Sequence, residues 1–322
     1  MNVFRSVSEL PPLSRPVVTI GTFDGVHKGH QRILTRLREL AAEANGTSLI
    51  VTFHPHPRSI IQPDADLRML TTLEERLALL AHYGADAVLV VPFTREFSEI
   101  SADAYVREFL LQGIRPHTLV IGYDHRFGRD RSGNIALLRQ FGEPEGLRIV
   151  EIDPQEVDDV AVSSTRIRKA LLSGNVQAAE QGLGLPYTLS GVVVKGEQIG
   201  RELGYPTANL RVDDASKLIP ADGIYTVLVE ARGQRFGGML SIGFRPTFDG
   251  KQRSIEVNLF DFAGDLYGED LRLHFLAYLR GEARFPNRES LIAAMSKDRQ
   301  NSLAHLEERG GIVGVHAAPA PL

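Results

Sequence analysis

Residues 17–44 of this chain read VVTIGTFDGVHKGHQRILTRLRELAAEA. Residues 17–20 are an apolar run that predicts a strand, and residues 31–44 carry apolar side chains at helical spacing, which predicts an amphipathic helix. The turn between them is rich in glycine and holds His27 and His30 on either side of Gly29. Glycine lets an anion approach the backbone, the N-terminus of a helix favours negative charge, and each imidazole can donate to a phosphate oxygen. The segment therefore predicts an ATP phosphate site, the alternative being that one histidine caps the helix and the other is exposed.

The rest of the first half continues the alternation of strand and helix. The patterns predict strands at residues 49–53, 88–91, 119–121 and 147–152, and helices at residues 73–83, 102–111 and 135–141. Strands that alternate with helices predict a parallel sheet covered on both faces, a Rossmann-like α/β domain. Such sheets bind ligands at the carboxyl ends of their strands.

The second half has a different pattern of predicted elements. Predicted strands at residues 188–194, 223–230, 235–240, 254–259 and 271–279 are separated by Gly, Pro and Asp turns, and a helix is predicted only at residues 289–306. This pattern predicts a mostly antiparallel barrel or sandwich with one closing helix. We expect domains at residues 1–184 and 185–309, followed by a disordered tail at residues 310–322.

Composition narrows the class of protein. The 322 residues suit two domains, 43% are hydrophobic and 24% charged, and the net charge is −4. This charge argues against a nucleic-acid partner. The chain has no cysteine, which excludes disulfides and thiolate catalysis and fits a cytoplasmic protein. No apolar run approaches the ~20 residues that a membrane helix needs, so no membrane partner is expected.

Two further segments follow predicted strands of the first half. GYDHRFG at residues 122–128 has the glycines of a tight binding loop, and SSTRIRK at residues 163–169 begins a helix. Hydroxyls at a helix start are typical of simple capping. Cations in a first turn are disfavoured by the helix dipole unless an anion binds there. We therefore interpret Ser164, Thr165 and Arg168 as a triphosphate clamp, with capping as the alternative.

The motifs HKGH at residues 27–30 and SSTRIR at residues 163–168, in this order, resemble the nucleotidyltransferase superfamily. The segment TFHPHP at residues 52–57 and the loop at residues 122–128 narrow the resemblance to the FMN adenylyltransferase half of bacterial bifunctional FAD synthetases. The resemblance implies in-line attack of the FMN phosphate on the α-phosphorus of ATP, catalysed by positioning and charge stabilisation. It implies that His27 and His30 contact the reacting phosphates and that Arg168 contacts the departing ones. The implied ATP-binding residues are Gly21, Phe23, Asp24, His27, His30, Asp124, Ser164, Thr165 and Arg168.

The second half contains GRELGYPTAN at residues 200–209, which lacks the pattern of a Walker loop. By composition alone its glycines could simply form turns. Together with GIY at residues 223–225, GFRPT at residues 243–247 and LYG at residues 266–268, the segment resembles riboflavin kinases. The implied ATP- and flavin-binding residues are Gly191, Gly196, Gly200, Arg201, Gly204, Pro206, Thr207 and Asn209.

The same resemblance implies chemical roles. Thr207 and Asn209 would hold Mg²⁺ and the ATP phosphates, and oxygen ligands suit this hard cation. Glu256 would be the base that takes the proton from the ribityl 5′-hydroxyl of riboflavin, whereas strand alternation alone would make it an outward, solvated residue. Two departures from the family pattern concern flavin affinity or kinase rate: Asn258 stands where histidine is usual, and Ser241 where asparagine is common.

The sequence thus predicts a bifunctional enzyme that converts riboflavin to FMN and FMN to FAD with ATP and Mg²⁺. Its partners are the small molecules riboflavin, FMN and ATP, and a homo-oligomer is left open. One alternative is a nucleotidyltransferase for another phosphorylated acceptor, with a second domain that only binds flavin. Another is a flavin-sensing protein without catalysis, which the joint presence of His27, His30, Thr207, Asn209 and Glu256 disfavours.

Overall fold

The computed structural model describes residues 1–122, 125–152, 162–196, 199–247, 250–315 and 319. It consists of two compact units, the first built from Met1–Ser163 and the second from Ser164–Ala318. Among the residues that the structure describes, no helix is both long enough and apolar enough to cross a membrane.

The described part of the first unit is built on a parallel sheet of six strands in the order β1-β4-β3-β2-β5-β6. Its strands are β1 (Asn2–Phe4), β2 (Val17–Ile20), β3 (Ser48–His54), β4 (Ala87–Pro92), β5 (Thr118–Gly122) and β6 (Arg148–Ile152). Its α-helices are α1 (Lys28–Glu43), α2 (Pro57–Ile61), α3 (Leu73–His82), α4 (Arg95–Ser98), α5 (Ala102–Ala104) and α6 (Ile135–Gly142). A π-helix, Tyr105–Ile114, continues α5, and short 3₁₀-helices lie at Val7–Glu9, Arg129–Arg131 and Glu143–Glu145.

Alternate residues of each strand enter different halves of the core. Val18 and Leu49 pack in one apolar cluster, whereas Val17 and Ile50 pack in another. Because successive strand residues point to opposite faces, the two clusters lie on the two faces of the sheet. The predicted parallel sheet covered on both faces is therefore confirmed.

The described residues of the second unit form a closed barrel of six strands in the order β10-β11-β8-β7-β12-β9, with antiparallel neighbours. The strands are β7 (Tyr187–Val194), β8 (Ala208–Arg211), β9 (Gly223–Ala231), β10 (Gln234–Thr247), β11 (Gly250–Leu259) and β12 (Asp270–Arg280). Its helices are α7 (Ser164–Leu172), α8 (Val176–Leu183), α9 (Ile199–Glu202), α10 (Arg288–Glu308) and α11 (Gly311–Gly314). The architecture is thus the barrel of the two predicted possibilities, with α10 as the closing helix.

Two apolar layers hold this unit together. Tyr225 lies edge-on to Phe275 with 5.1 Å between ring centroids, among the largest buried side chains of the chain. Leu228, which points to the opposite face of β9 from Tyr225, belongs to a second cluster that includes Leu306 of α10 and Val315. The sequence predicted a disordered tail from Gly310, whereas residues 311–314 form a short helix and Val315 is buried.

The two units divide between residues 163 and 164, ahead of the predicted boundary at residues 184 and 185. The cause is the packing of α7 and α8. The backbone N–H of Ala221, which precedes β9, donates to the carbonyl oxygen of Leu171 at 3.0 Å. In α8, both carboxylate oxygens of Glu180 accept hydrogen bonds from the Arg309 guanidinium, at 2.8 and 2.6 Å. Both helices therefore belong to the barrel unit.

Candidate active sites

The first candidate site is the turn between β2 and α1. His27 is the N-cap of α1, and its Nδ1 accepts a hydrogen bond from the backbone N–H of His30 at 3.4 Å. The two imidazole rings stack with 3.7 Å between centroids and 16° between planes. Since Nδ1 of His27 accepts, a neutral His27 carries its proton on Nε2, where it can donate to an anion. His27 therefore caps the helix, as the alternative held, but His30 is half-buried against it and not exposed.

The charge state of His30 is controlled by burial. Burial lowers the pKa of His30 well below its ordinary value, and the neighbouring His27 and Arg76 lower this pKa further. Nδ1 of His30 is buried and has no hydrogen-bond partner among the described residues. His30 is consequently neutral at neutral pH, and a neutral imidazole next to a phosphate acts by donating its single N–H proton.

The turn that carries the histidines is held by hydrogen bonds to residues 70 and 71. The Asp24 carboxylate accepts hydrogen bonds from the backbone N–H groups of Leu70 and Thr71, each at 3.1 Å, and from the Thr71 hydroxyl at 3.2 Å. Asp24 is 1% exposed and Phe23 is 2% exposed. Their contacts support a bracing role, and their predicted contact with ATP remains a prediction. A Cβ at Gly21 would lie 3.1 Å from the Phe23 ring, so Gly21 leaves room for that ring.

Arg76 of α3 supports the histidine turn and was not predicted from the sequence. Its side chain is 4% exposed, and its guanidinium donates to the carbonyl oxygen of Thr22 at 2.6 Å and to that of Phe53 at 3.3 Å. Burial lowers the pKa of Arg76, while Asp24 raises it in part. The sequence did contain a signal for this contact, because Arg76 lies on the buried apolar face of α3, between Leu73 and Leu77. A charge on such a stripe marks a buried polar contact.

The other residues predicted to bind the nucleotide follow β5 or lie at the beginning of α7. Gly128 ends the loop after β5, and a Cβ there would lie 2.7 Å from the Cα of Ala102. Asp124 lies outside the described residues. Ser164, Thr165 and Arg168 lie at the beginning of α7, which belongs to the second unit. The predicted clamp formed by these three residues remains a prediction.

The second candidate site lies where β8 pairs with β11 in the barrel. Glu256 is the register partner of Asn209. The Thr207 hydroxyl donates to Oε2 of Glu256 at 3.3 Å. Glu256 is half-buried, so the solvated position that strand alternation alone allowed is not what the structure shows. The structure thus brings together the three residues to which the resemblance assigned the phosphoryl-transfer chemistry.

Glycine residues surround this group at close range. A Cβ at Gly196 would lie 2.3 Å from Nδ2 of Asn209, and a Cβ at Gly200 would lie 2.4 Å from the carbonyl oxygen of Tyr205. Neither distance is tolerated by real side chains, so the backbone approaches Asn209 and Thr207 only because these positions are glycine. Gly191 is similarly close to the carbonyl oxygen of Arg211. The side chain of Arg201 is not among those that the structure describes.

The donors at this second site fit a hard divalent cation. Thr207, Asn209 and Glu256 offer hydroxyl, amide and carboxylate oxygens, which are the ligand types that Mg²⁺ prefers. Within the described ranges, no group of three or more His, Asp or Glu residues could hold a metal by itself. Mg²⁺ is usually held by few protein ligands together with substrate phosphates, so this arrangement suits it.

Comparison with known proteins matches both halves of the chain. A family model of FAD synthetase matches residues 11–166, and a family model of riboflavin kinase matches residues 183–306. A bifunctional riboflavin kinase/FMN adenylyltransferase from Pseudomonas fluorescens is 38% identical over 92% of this chain and 96% of its own length. One from Listeria monocytogenes is 36% identical over 89% of this chain and 91% of its own length.

A solved structure shares the fold. A protein from Streptococcus pneumoniae described as a macrolide-efflux protein superposes with a TM-score of 0.82, at 31% identity, over 93% of this chain and 97% of its own.

Proposed function

The chain belongs to the family of bifunctional riboflavin kinase/FMN adenylyltransferases, and from that membership we propose which residues carry out its two reactions. The protein phosphorylates riboflavin to FMN with ATP, and it adenylylates FMN with ATP to give FAD and pyrophosphate. The observation that carries the assignment is the convergence of Thr207 and Asn209 on Glu256.

Glu256 is the base of the kinase reaction. The ribityl 5′-hydroxyl of riboflavin attacks the γ-phosphorus of ATP, a new O–P bond forms, and the bond to the departing ADP breaks. The hydroxyl proton passes to the Glu256 carboxylate, whose position beside Thr207 supports this role. A positioned base of this kind typically contributes about 10²- to 10⁴-fold.

Thr207 and Asn209 are the residues that would hold Mg²⁺ together with the phosphates of ATP. The ion would neutralise phosphate charge as it develops during transfer. The Gly196 backbone, which leaves no space for a side chain next to Asn209, keeps this corner narrow enough for direct contacts with phosphate oxygens. Gly200, Gly204 and Pro206 lie in the segment that precedes Thr207, and Gly191 of β7 lets the backbone of β8 approach at Arg211.

The adenylyl-transfer reaction uses no protein nucleophile. An oxygen of the FMN phosphate attacks the α-phosphorus of ATP, and pyrophosphate leaves with the electrons of the broken bond. His27 and His30 donate to the phosphate oxygens as negative charge builds up, which is stabilisation by preorganised donors. For Arg168, with Ser164 and Thr165, the resemblance to the family is the support for a role in binding the departing β- and γ-phosphates.

The test measures each reaction separately in purified protein. Flavins are separated by chromatography over time, with riboflavin or FMN supplied together with ATP and Mg²⁺. Glu256→Ala is expected to abolish FMN formation from riboflavin and to leave FAD formation from supplied FMN intact, and His30→Ala is expected to do the reverse. Glu289→Ala and His82→Ala, at exposed positions of α10 and α3, are the matched controls. Loss of both activities by either site variant in a folded protein would contradict the two-site assignment.

A further inference from the structure

Asn258 lies in the kinase site but is not part of the chemistry proposed above. It follows Glu256 by two positions in β11, so both side chains project from the same face of the strand. Asn258 is 7% exposed, and its Nδ2 donates to the carbonyl oxygen of Pro206 at 2.7 Å. The Asn258 amide is buried, and a buried donor without an acceptor would cost free energy, so this contact ties the Asn258 side chain to the Pro206 peptide.

The contact extends strand pairing beyond its last backbone partner. In the described part of the barrel, β8 and β11 pair at Asn209 with Glu256 and at Ala208 with Val257. The chain before Ala208 leaves β11, and proline has no N–H to donate. The Asn258 amide therefore supplies a hydrogen bond at the point where the backbone ladder has ended.

Pro206 immediately precedes Thr207, whose hydroxyl donates to Glu256 at 3.3 Å. Adjacent residues of one loop are thus attached to alternate residues of one strand, through Asn258 and through Glu256. Loss of the Asn258 contact would release the Pro206 end of this attachment and let the Thr207 hydroxyl move relative to the carboxylate.

We propose that Asn258 is a positioning residue of the kinase reaction, which holds the Pro206–Thr207 peptide so that Thr207 and Asn209 face Glu256. The inference rests on the proposed function of this site. It also gives a physical role to a residue at which this chain departs from the pattern of the kinases it resembles. Asparagine serves here through its amide N–H group, and a histidine side chain also offers an N–H donor.

The experiment compares Asn258→Leu with the wild-type protein in the full-length chain. The measured quantities are kcat and KM for ATP in the kinase reaction, the Mg²⁺ concentration for half-maximal kinase rate, and the rate of FAD formation from supplied FMN. We expect kcat/KM for ATP to fall by about 10-fold and the half-maximal Mg²⁺ concentration to rise, because a lost buried hydrogen bond loosens the phosphate and metal ligands. FAD formation is expected to stay unchanged.

Two variants separate positioning from general stability. Asn258→Asp has the same size but lacks the donor, so it should reproduce the defect, and it keeps the test decisive if Asn258→Leu does not fold. Asn258→His, which restores a donor, should recover part of the lost kcat/KM. Asn301→Leu, the same exchange at a half-buried position of α10, should leave every quantity unchanged.

The outcomes that overturn the inference differ from those that overturn the proposed function. Unchanged kinase parameters and Mg²⁺ dependence in Asn258→Leu and Asn258→Asp, or a parallel loss of both activities, would overturn the positioning role. Full kinase activity in Glu256→Ala would instead overturn the assignment of the base on which the inference rests.

Discussion

The two sites keep their reactive groups in place by different means. In the first unit, the turn between β2 and α1 lies over buried charged and titratable groups, with Arg76 bound to two carbonyl oxygens and His30 kept neutral by burial. In the second unit, the close approach of backbone at Gly196 fixes Asn209, and a hydrogen bond from the uncharged Asn258 amide holds the loop at Pro206.

This difference implies different sensitivities. A site that depends on buried charge responds to protonation and to the removal of charge, whereas a site that depends on close packing responds to added volume. Substitutions that change only charge or only volume should therefore affect one activity and spare the other.

Among the substitutions that test this contrast, the largest effect is expected from a single methyl group at Gly196. Gly196→Ala would place a Cβ 2.3 Å from Nδ2 of Asn209, so the backbone or the amide must shift. Because displacement by about 1 Å can cost on the order of 100-fold in rate, we expect a loss of that order in FMN formation. FAD formation from supplied FMN should be unchanged, as measured by chromatography of the flavins.

The matched control is Gly281→Ala in the same unit. A Cβ at Gly281 would meet only the Tyr278 hydroxyl, at an ordinary 3.5 Å. It should leave both rates within about 2-fold of the wild-type values, since surface changes of this kind have small effects. A Gly196→Ala protein with a normal kinase rate would show that close packing is not what fixes this site.

The second largest effect concerns charge in the first unit. Arg76→Met removes the guanidinium that joins Thr22 to Phe53, and Arg76→Lys keeps the charge but cannot reproduce both hydrogen bonds. We expect FAD formation to fall roughly 10- to 100-fold in both variants, through displacement of the histidine turn, with the kinase rate preserved. Arg95→Met, at an exposed position of α4, is the control. Equal losses of both activities would contradict the separation of the sites.

A smaller effect is expected from pH, and it involves both units. Burial lowers the pKa of His30 in the first unit and of His274 in the second, although Glu230 partly opposes the change at His274. In the unfolded chain both histidines regain an ordinary pKa of about 6.5. Between the lowered pKa and that value the unfolded chain binds more protons, so stability rises with pH in this window and is lost as the pH falls through it.

Urea unfolding followed at several pH values checks this expectation. Each histidine can contribute up to about 1.4 kcal/mol per pH unit to the slope of the free energy of unfolding below about pH 6.5. His30→Asn should flatten the slope of the first unit, and His274→Asn that of the second. His82→Asn, at an exposed position, should change neither. A wild-type slope in His30→Asn would mean that burial of His30 does not control its protonation.

The smallest effect is expected at Ser241, the other departure from the kinase pattern. Ser241 is the register partner of Glu256 across β10 and β11, and its side chain makes no hydrogen bond within the described part of the chain. We expect Ser241→Ala to change kcat and KM of the kinase by less than about 3-fold. A larger loss would assign Ser241 a direct part in the reaction and narrow the contrast with Asn258.

Local patterns were enough to predict most of the fold. The core strands of the first unit appear in the sequence as apolar runs, and the helix after the histidine turn as an apolar stripe. β1 was missed because only three residues pair with β4, and β8 because its four residues have no strand pattern. The membership of α8 in the barrel unit depends on Glu180 and Arg309, 129 positions apart, which no local pattern encodes.

The site residues also divide into those that a local pattern predicts and those that depend on contacts between distant residues. His27 and His30 were predictable because one strand, one turn and one helix position them both. The contact of Asn258 with Pro206, 52 positions away, required the barrel itself. The same holds for Arg76, whose partners are Thr22 in the turn after β2 and Phe53 in β3.

The closure of the barrel has a consequence for synthesis on the ribosome. β12 completes the wall by pairing with both β7 and β9, so the barrel cannot close until residues 270–280 have emerged. The parallel sheet is complete at Ile152, and domains generally fold as units from the N-terminus during translation. A nascent chain that stops short of β12 should therefore lack the kinase barrel while its nucleotidyl-transfer sheet is already folded. The two activities would then mature in the reverse of the order in which riboflavin needs them.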